Sequence, residues 1–165
     1  MKVVLSILLL AAAALAQTAT PAPTVAQLLG TWKLVSIEDT MNSGATGPSQ
    51  QFGPHPHGFI MYEPDGHMCA TIANGDRPAW KDPANPTNEE KNAYYDTFIA
   101  YCGTFKLDGA TSTLTHYPSV AWTPAYVDST QVRPFKLDGD RLTITVTAVT
   151  PAITKRVLVW ERAKN

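Results

Sequence analysis

The chain predicts an all-β fold, an eight-stranded up-and-down antiparallel barrel with one short inserted helix. Three observations carry that expectation. Eight runs alternate apolar and polar residues at the two-residue period of a strand. Asp-Gly pairs at Asp65, Asp108 and Asp138 separate consecutive runs, which is where hairpin turns belong. Thirteen prolines and ten glycines favour turns over long helices.

At the N-terminus, Lys2, the apolar residues 3–15 and the small-x-small site Ala14-Leu15-Ala16 read as an export signal over residues 1–16. The apolar run is too short to span a bilayer comfortably, and polar, Pro-containing residues follow at once, which disfavours a retained anchor. Residues 17–28 read as a mobile linker that ends in a helical turn. Residues 29–163 then form one barrel domain, a length suited to a single core.

The first strand covers residues 31–38, introduced by Gly30. A Gly/Ser-rich loop follows over residues 41–53, long enough for a cavity lid or a disordered flap. Residues 58–62 and 67–72 form a hairpin about Pro64-Asp65-Gly66. A Pro-rich crossing over 76–87 leads to the helix, whose start is marked by a capping box of Thr87 with Glu90. Residues 101–107 and 113–117 pair next, then 127–137 and 141–147, and 154–162 closes the set. Eight strands is the size whose interior holds one small ligand. A β-sandwich is the other architecture, but consecutive Asp-Gly hairpins favour a meander. Phe105-Lys106-Leu107-Asp108-Gly109 returns as Phe135-Lys136-Leu137-Asp138-Gly139, which reads as the same hairpin chemistry reached twice and not as a duplicated half-barrel.

Several segments together resemble one family: GTWKLVSIE from Gly30, FGPHPHGFIMYEPDGHM from Phe52, FIAYCGTFKLDG from Phe98, THYPS from Thr115, QVRPFKLDGDRLTIT from Gln131 and the terminal LVWERA. In this order they are similar to the bacterial and fungal lipocalin-like domain family, a group of calycin-type single-domain barrels. The resemblance spans nearly all of residues 29–163. It implies the barrel and a ligand cup, and it implies that Gly30 and Trp32 are structural: Trp32 would plug the closed end under a basic residue, Arg162 or Arg156. The family pattern departs at Tyr126-Val127-Asp128, where Trp-Val-Gly is usual, and at Thr130, where an acid is usual. No common ligand or reaction carries over.

Charge is balanced, with 13 basic and 14 acidic residues interspersed, so neither nucleic acid nor an anionic membrane is an expected partner. Cys69 and Cys102 are the only cysteines. Alternation turns both outward on strands that could be neighbours, so a disulfide forms if the register suits, and an exported protein favours one. His55, His57 and His67, near Glu63 and Asp65, are a weak metal set, and prolines 54 and 56 read better as a rigid strand entry. No metal or cofactor is expected. The chain lacks a nucleophile elbow, a phosphate-binding loop and a dinucleotide fingerprint.

Putting apolar residues inward gives a cup lined by Trp32, Leu34, Ser36 and Glu38, with Met68, Ala70, Ile72, Tyr101, Phe105, Leu114, His116, Gln131, Arg133, Phe135, Leu142, Ile144 and Val146. The ligand-binding candidates are Glu38, Tyr101, Phe105, His116, Gln131, Arg133 and Phe135. His116 either serves as a proton-transfer group or is a buried histidine satisfied by Tyr101 or Gln131. Arg133 either meets an anionic or carbonyl-bearing ligand with Gln131 or pairs internally with Glu38. Three functions fit. The first is a secreted protein, monomeric or a small homo-oligomer, that binds a small apolar or mildly polar metabolite. The second is a cofactor-free isomerase, cyclase or dehydratase of secondary metabolism, with His116, Tyr101 and Arg133 as catalytic residues. The third is an interaction protein with a filled barrel.

Overall fold

The structure, a computed structural model, describes residues 21–164; the expected export signal at residues 1–16 lies outside the described residues. Nine strands form one antiparallel sheet: β1 (Gly30–Met41), β2 (Thr46–Pro48), β3 (Pro56–Tyr62), β4 (His67–Asn74), β5 (Phe98–Asp108), β6 (Thr113–Ala121), β7 (Gln131–Asp138), β8 (Arg141–Thr150) and β9 (Ile153–Arg162). Each strand from β3 to β8 pairs with the next, and β1 pairs with both β3 and β9. β1 and β3–β9 therefore close into the eight-stranded barrel that the alternation predicts, and closure removes every exposed strand edge of the ring. β2 is an additional short strand within the expected lid loop, laid along the far half of β1.

The inserted helix α2 (Asn88–Asp96) starts as the capping box predicts. The Glu90 amide donates to Thr87 Oγ1 at 3.2 Å and the Thr87 amide donates to Glu90 Oε2 at 2.8 Å. A short helix, α1 (Val25–Leu28), precedes the barrel, and Leu28 is fully buried in its core. Gly30 opens β1 with φ at +106°, a conformation that disfavours any residue with a Cβ.

Inward positions of the strands converge on Trp32, Ile60, Tyr62, Met68, Leu114, Leu142 and Trp160, all at or near complete burial. Each large apolar side chain shut away like this contributes about 1.5–3 kcal/mol relative to exposure. On the outer face Cys69 and Cys102 stand directly opposite each other in the β4–β5 ladder, with Cα atoms 4.1 Å apart, and form a disulfide. The register that the sequence left open is thus the one that joins them.

Three local readings are corrected. In β1 the pairing with β9 slips between Leu34 and Ser36, so Val35 is an extra residue and the strand exchanges its faces there. Trp32 and Leu34 point inward before the bulge; Ile37 and Asp39 do so after it, while Glu38 is exposed and Ser36 only half-buried. The run 127–137 is not one strand. Pro124–Tyr126 form a 3₁₀ turn, Asp128 has φ at +58°, and the strand begins only at Gln131. The repeated pentapeptide makes two different turns: Asp108 pairs with Thr113 across residues 109–112, whereas Asp138 pairs with Arg141 across a tight turn with Gly139 at φ +55°.

Candidate functional site

One half of the barrel interior holds a cavity of about 290 Å³. Its apolar wall comes from Ile60 on β3, Ala70 and Ile72 on β4, Ile144 on β8, and Leu158 and Trp160 on β9. Its polar wall comes from Tyr101 on β5, His116 on β6 and Arg133 on β7. The mouth is formed by Gln51 and Phe52 after β2, by Trp122 and Tyr126 in the β6–β7 connection, and by Val149 and Thr150.

The other half of the barrel is closed. Trp32 is fully buried, its indole N–H donates to the Leu28 carbonyl at 2.8 Å, and the Arg162 guanidinium lies 4.2 Å above its ring. Arg162 is held there by the Leu29 and Gln27 carbonyls and by Asp140. Outside this end runs an open groove of about 730 Å³, and Phe135 borders that groove and not the cavity.

Arg156, the other basic residue considered for the plug, has a different partner. Its Nε and Nη2 donate to the two oxygens of Asp39 at 2.6 and 2.8 Å, and both residues are buried. Arg156 also donates to Ser49 and Gln51 and lies over the Phe52 ring at 5.2 Å. The segment expected as a lid or flap is therefore pinned across the mouth by a buried cation. Asp39 takes the inward place that simple alternation gave to Glu38.

His116 is 1 % exposed and sits between two phenols: Tyr62 Oη at 3.0 Å from Nε2 and Tyr101 Oη at 2.9 Å from Nδ1. A neutral imidazole carries one N–H and one lone pair, so one tyrosine donates and the other accepts. Burial, reinforced by the Arg133 charge, pushes the His116 pKa down to about 3. Burial also raises both tyrosine hydroxyls above their ordinary range, so all three groups are neutral near pH 7. With both ring nitrogens engaged, His116 lies within an aromatic series that runs inward through Trp122, Tyr126, Tyr101, His116, Tyr62 and Phe105.

Arg133 is buried with its side chain on the cavity wall. It donates to the Val132 carbonyl at 3.0 Å, Tyr126 Oη at 3.2 Å and Gln131 Oε1 at 2.7 Å. Gln131 in turn donates to Ser129. The expected pairing of Arg133 with Glu38 does not occur, because the β1 bulge turns Glu38 to solvent. Gln131 serves as a second layer behind Arg133, and Phe105 packs beneath the tyrosines, edge-on to Tyr62 at 4.9 Å.

His55 and His67 each bond a separate exposed carboxylate, Asp76 and Asp65, and no metal-ligating cluster of three or more His, Cys, Asp or Glu forms among the described residues. Sequence reasoning missed Ile60 and Tyr62 on β3, Leu158 and Trp160 on β9, Asp39 on β1, and Gln51, Phe52, Trp122 and Tyr126 from the connections. Tyr62 was accessible, since it shares a face with Ile60. Asp39 was hidden by the bulge, and Tyr126 and Trp122 lie in a connection where no alternation applies.

The sequence model described as a lipocalin-like domain matches residues 29–163. No curated protein matches the chain.

Proposed function

The chain belongs to the lipocalin-like domain family, and on that basis we propose that it is a secreted binding protein holding one compact, largely apolar molecule in the barrel. The observation that carries this reading is the cavity of about 290 Å³, apolar on one wall and bearing a few convergent polar groups on the other. That is the usual form of a small-molecule site. A cavity of about 150 Å³ accommodates benzene, so this one suits a molecule of about two rings. The signal-like N-terminus and the disulfide support secretion. His116, with both nitrogens bonded and its pKa far below neutrality, supports holding a ligand over transferring its protons.

Native mass spectrometry of protein purified from its own culture medium tests the proposal. The expected result is an added mass of one small molecule per chain, absent from a Val146→Trp variant that fills the mouth side of the cavity. Calorimetry with 2-naphthylmethanol, a neutral two-ring probe, gives the same test without the natural ligand. Protein that carries no added mass and does not take up this probe would exclude a binding function.

A further inference from the structure

Resting on the binding function above, we infer that the molecule this cavity takes is an apolar acid, whose carboxylate or similarly anionic oxygen docks on Arg133. Arg133 is only 8 % exposed as a residue, yet no carboxylate of the described residues pairs with its guanidinium. Its acceptors are a backbone carbonyl, a phenol and an amide, and none carries a charge. Three of its five N–H groups are used in this way, so donors remain over.

A buried cation without a counter-ion is unfavourable, and proteins ordinarily pair such groups. The same barrel shows the ordinary solution a short distance away in sequence terms, where Arg156 on β9 is matched by a fully buried Asp39. Arg133 has no such match. Glu38, the one carboxylate that plain alternation would have sent inward with it, faces solvent beyond the Val35 bulge. His116 and the two tyrosines beside it are neutral, so they do not compensate the charge. Trp160, on the opposite wall, keeps a buried indole N–H without an acceptor among the described residues. The cavity thus offers one uncompensated positive charge and a surplus of donors, facing an apolar wall. An anionic oxygen at Arg133 with a ring system against Ile60, Ile72 and Leu158 satisfies both sides.

Calorimetry on the intact protein with three probes tests this: 2-naphthoate, 2-naphthylmethanol and acetate. The first two share a ring system and differ in charge. A charge-assisted hydrogen bond in a dry site corresponds to about a ten- to hundredfold preference for naphthoate. Arg133→Gln is expected to erase that preference, read as the ratio of the two naphthyl affinities within the variant, and Arg133→Lys to retain part of it. Melting curves of both variants establish that they are folded. Equal affinity for the two naphthyl probes in the wild type overturns the inference while leaving the binding function standing. A preference that survives Arg133→Gln also overturns it, and so does acetate binding as tightly as naphthoate, which would mean a simple anion site. If neither naphthyl probe binds, the binding function falls and the acid with it.

Discussion

Arg156 grips Asp39 through two parallel bonds, 2.6 Å from Nε to Oδ1 and 2.8 Å from Nη2 to Oδ2, with the carboxylate entirely shut off from solvent. The pair joins β1 to β9 and, through Ser49 and Gln51, fastens the lid segment over the mouth. Removing one partner strands a buried charge. Asp39→Ala is expected to lower stability by about 3–5 kcal/mol in chemical denaturation. The double variant Asp39→Leu/Arg156→Met should recover most of that loss, because an apolar pair of similar volume tolerates burial. A double variant no more stable than Asp39→Ala would mean that the bonds to Ser49 and Gln51 matter more than the ion pair.

That same pair marks how far the sequence could be read. Strand alternation and the Asp-Gly turns located all eight barrel strands, because period and turn chemistry are local properties. The capping box at Thr87 and Glu90 was legible for the same reason. A bulge is not local in this sense: one unpaired residue at Val35 depends on how β1 bends between two neighbours, and it reverses every face after it. Alternation therefore gave Glu38 to the cup, where Asp39 stands. At the cavity, His116, Tyr101 and Arg133 were visible from pattern alone. The Tyr101–His116 contact was expected as well, but Tyr126, which meets Arg133, was not, since it comes from a connection and only tertiary folding brings the two together.

His116 makes stability depend on pH in a defined direction. Its folded pKa is about 3, whereas an unfolded histidine titrates near 6.5. Between those values the unfolded chain binds a proton that the native chain does not, so stability is full above about pH 6.5 and declines as pH falls toward 3. The slope from this one group approaches about 1.4 kcal/mol per pH unit. Carboxylates add their own acid sensitivity, so the readout is a difference. His116→Gln, which retains a donor and an acceptor, is expected to show a shallower loss than wild type between neutral and mildly acidic pH. Parallel curves would mean that His116 takes up its proton at the same pH in the native as in the unfolded chain, against the burial argument.

The Cys69–Cys102 bond crosses the outer face of β4 and β5, while Ala70 and Tyr101, one residue away on each strand, face the cavity. Closing a chain loop of this size is worth about 2–4 kcal/mol, chiefly by restricting the unfolded chain. The double variant Cys69→Ser/Cys102→Ser should lose about that much stability in denaturant. Its affinity for 2-naphthylmethanol should remain that of wild type, because the paired strands keep their inward faces. A loss of binding in a variant that is still folded would show that the bond holds the β4–β5 register as well as the chain.

Trp32 and Arg162 close the end of the barrel away from the cavity, and neither lines it. Arg162 does three things there: it covers the indole, holds the Leu29 and Gln27 carbonyls, and meets the partly exposed Asp140. The contact with Asp140 is open to solvent and worth little. The cation–π contact and the two carbonyl bonds, by contrast, tie the segment around α1 to the barrel floor. Arg162→Ala is therefore expected to lower stability by about 1–3 kcal/mol, with Asp140→Ala nearly silent. Probe affinity should not change in either variant, since the altered atoms lie beyond the closed floor. If Arg162→Ala weakened naphthoate binding in the folded protein, the floor and the cavity would be coupled through Trp160 and Leu142, which pair across β8 and β9 between them.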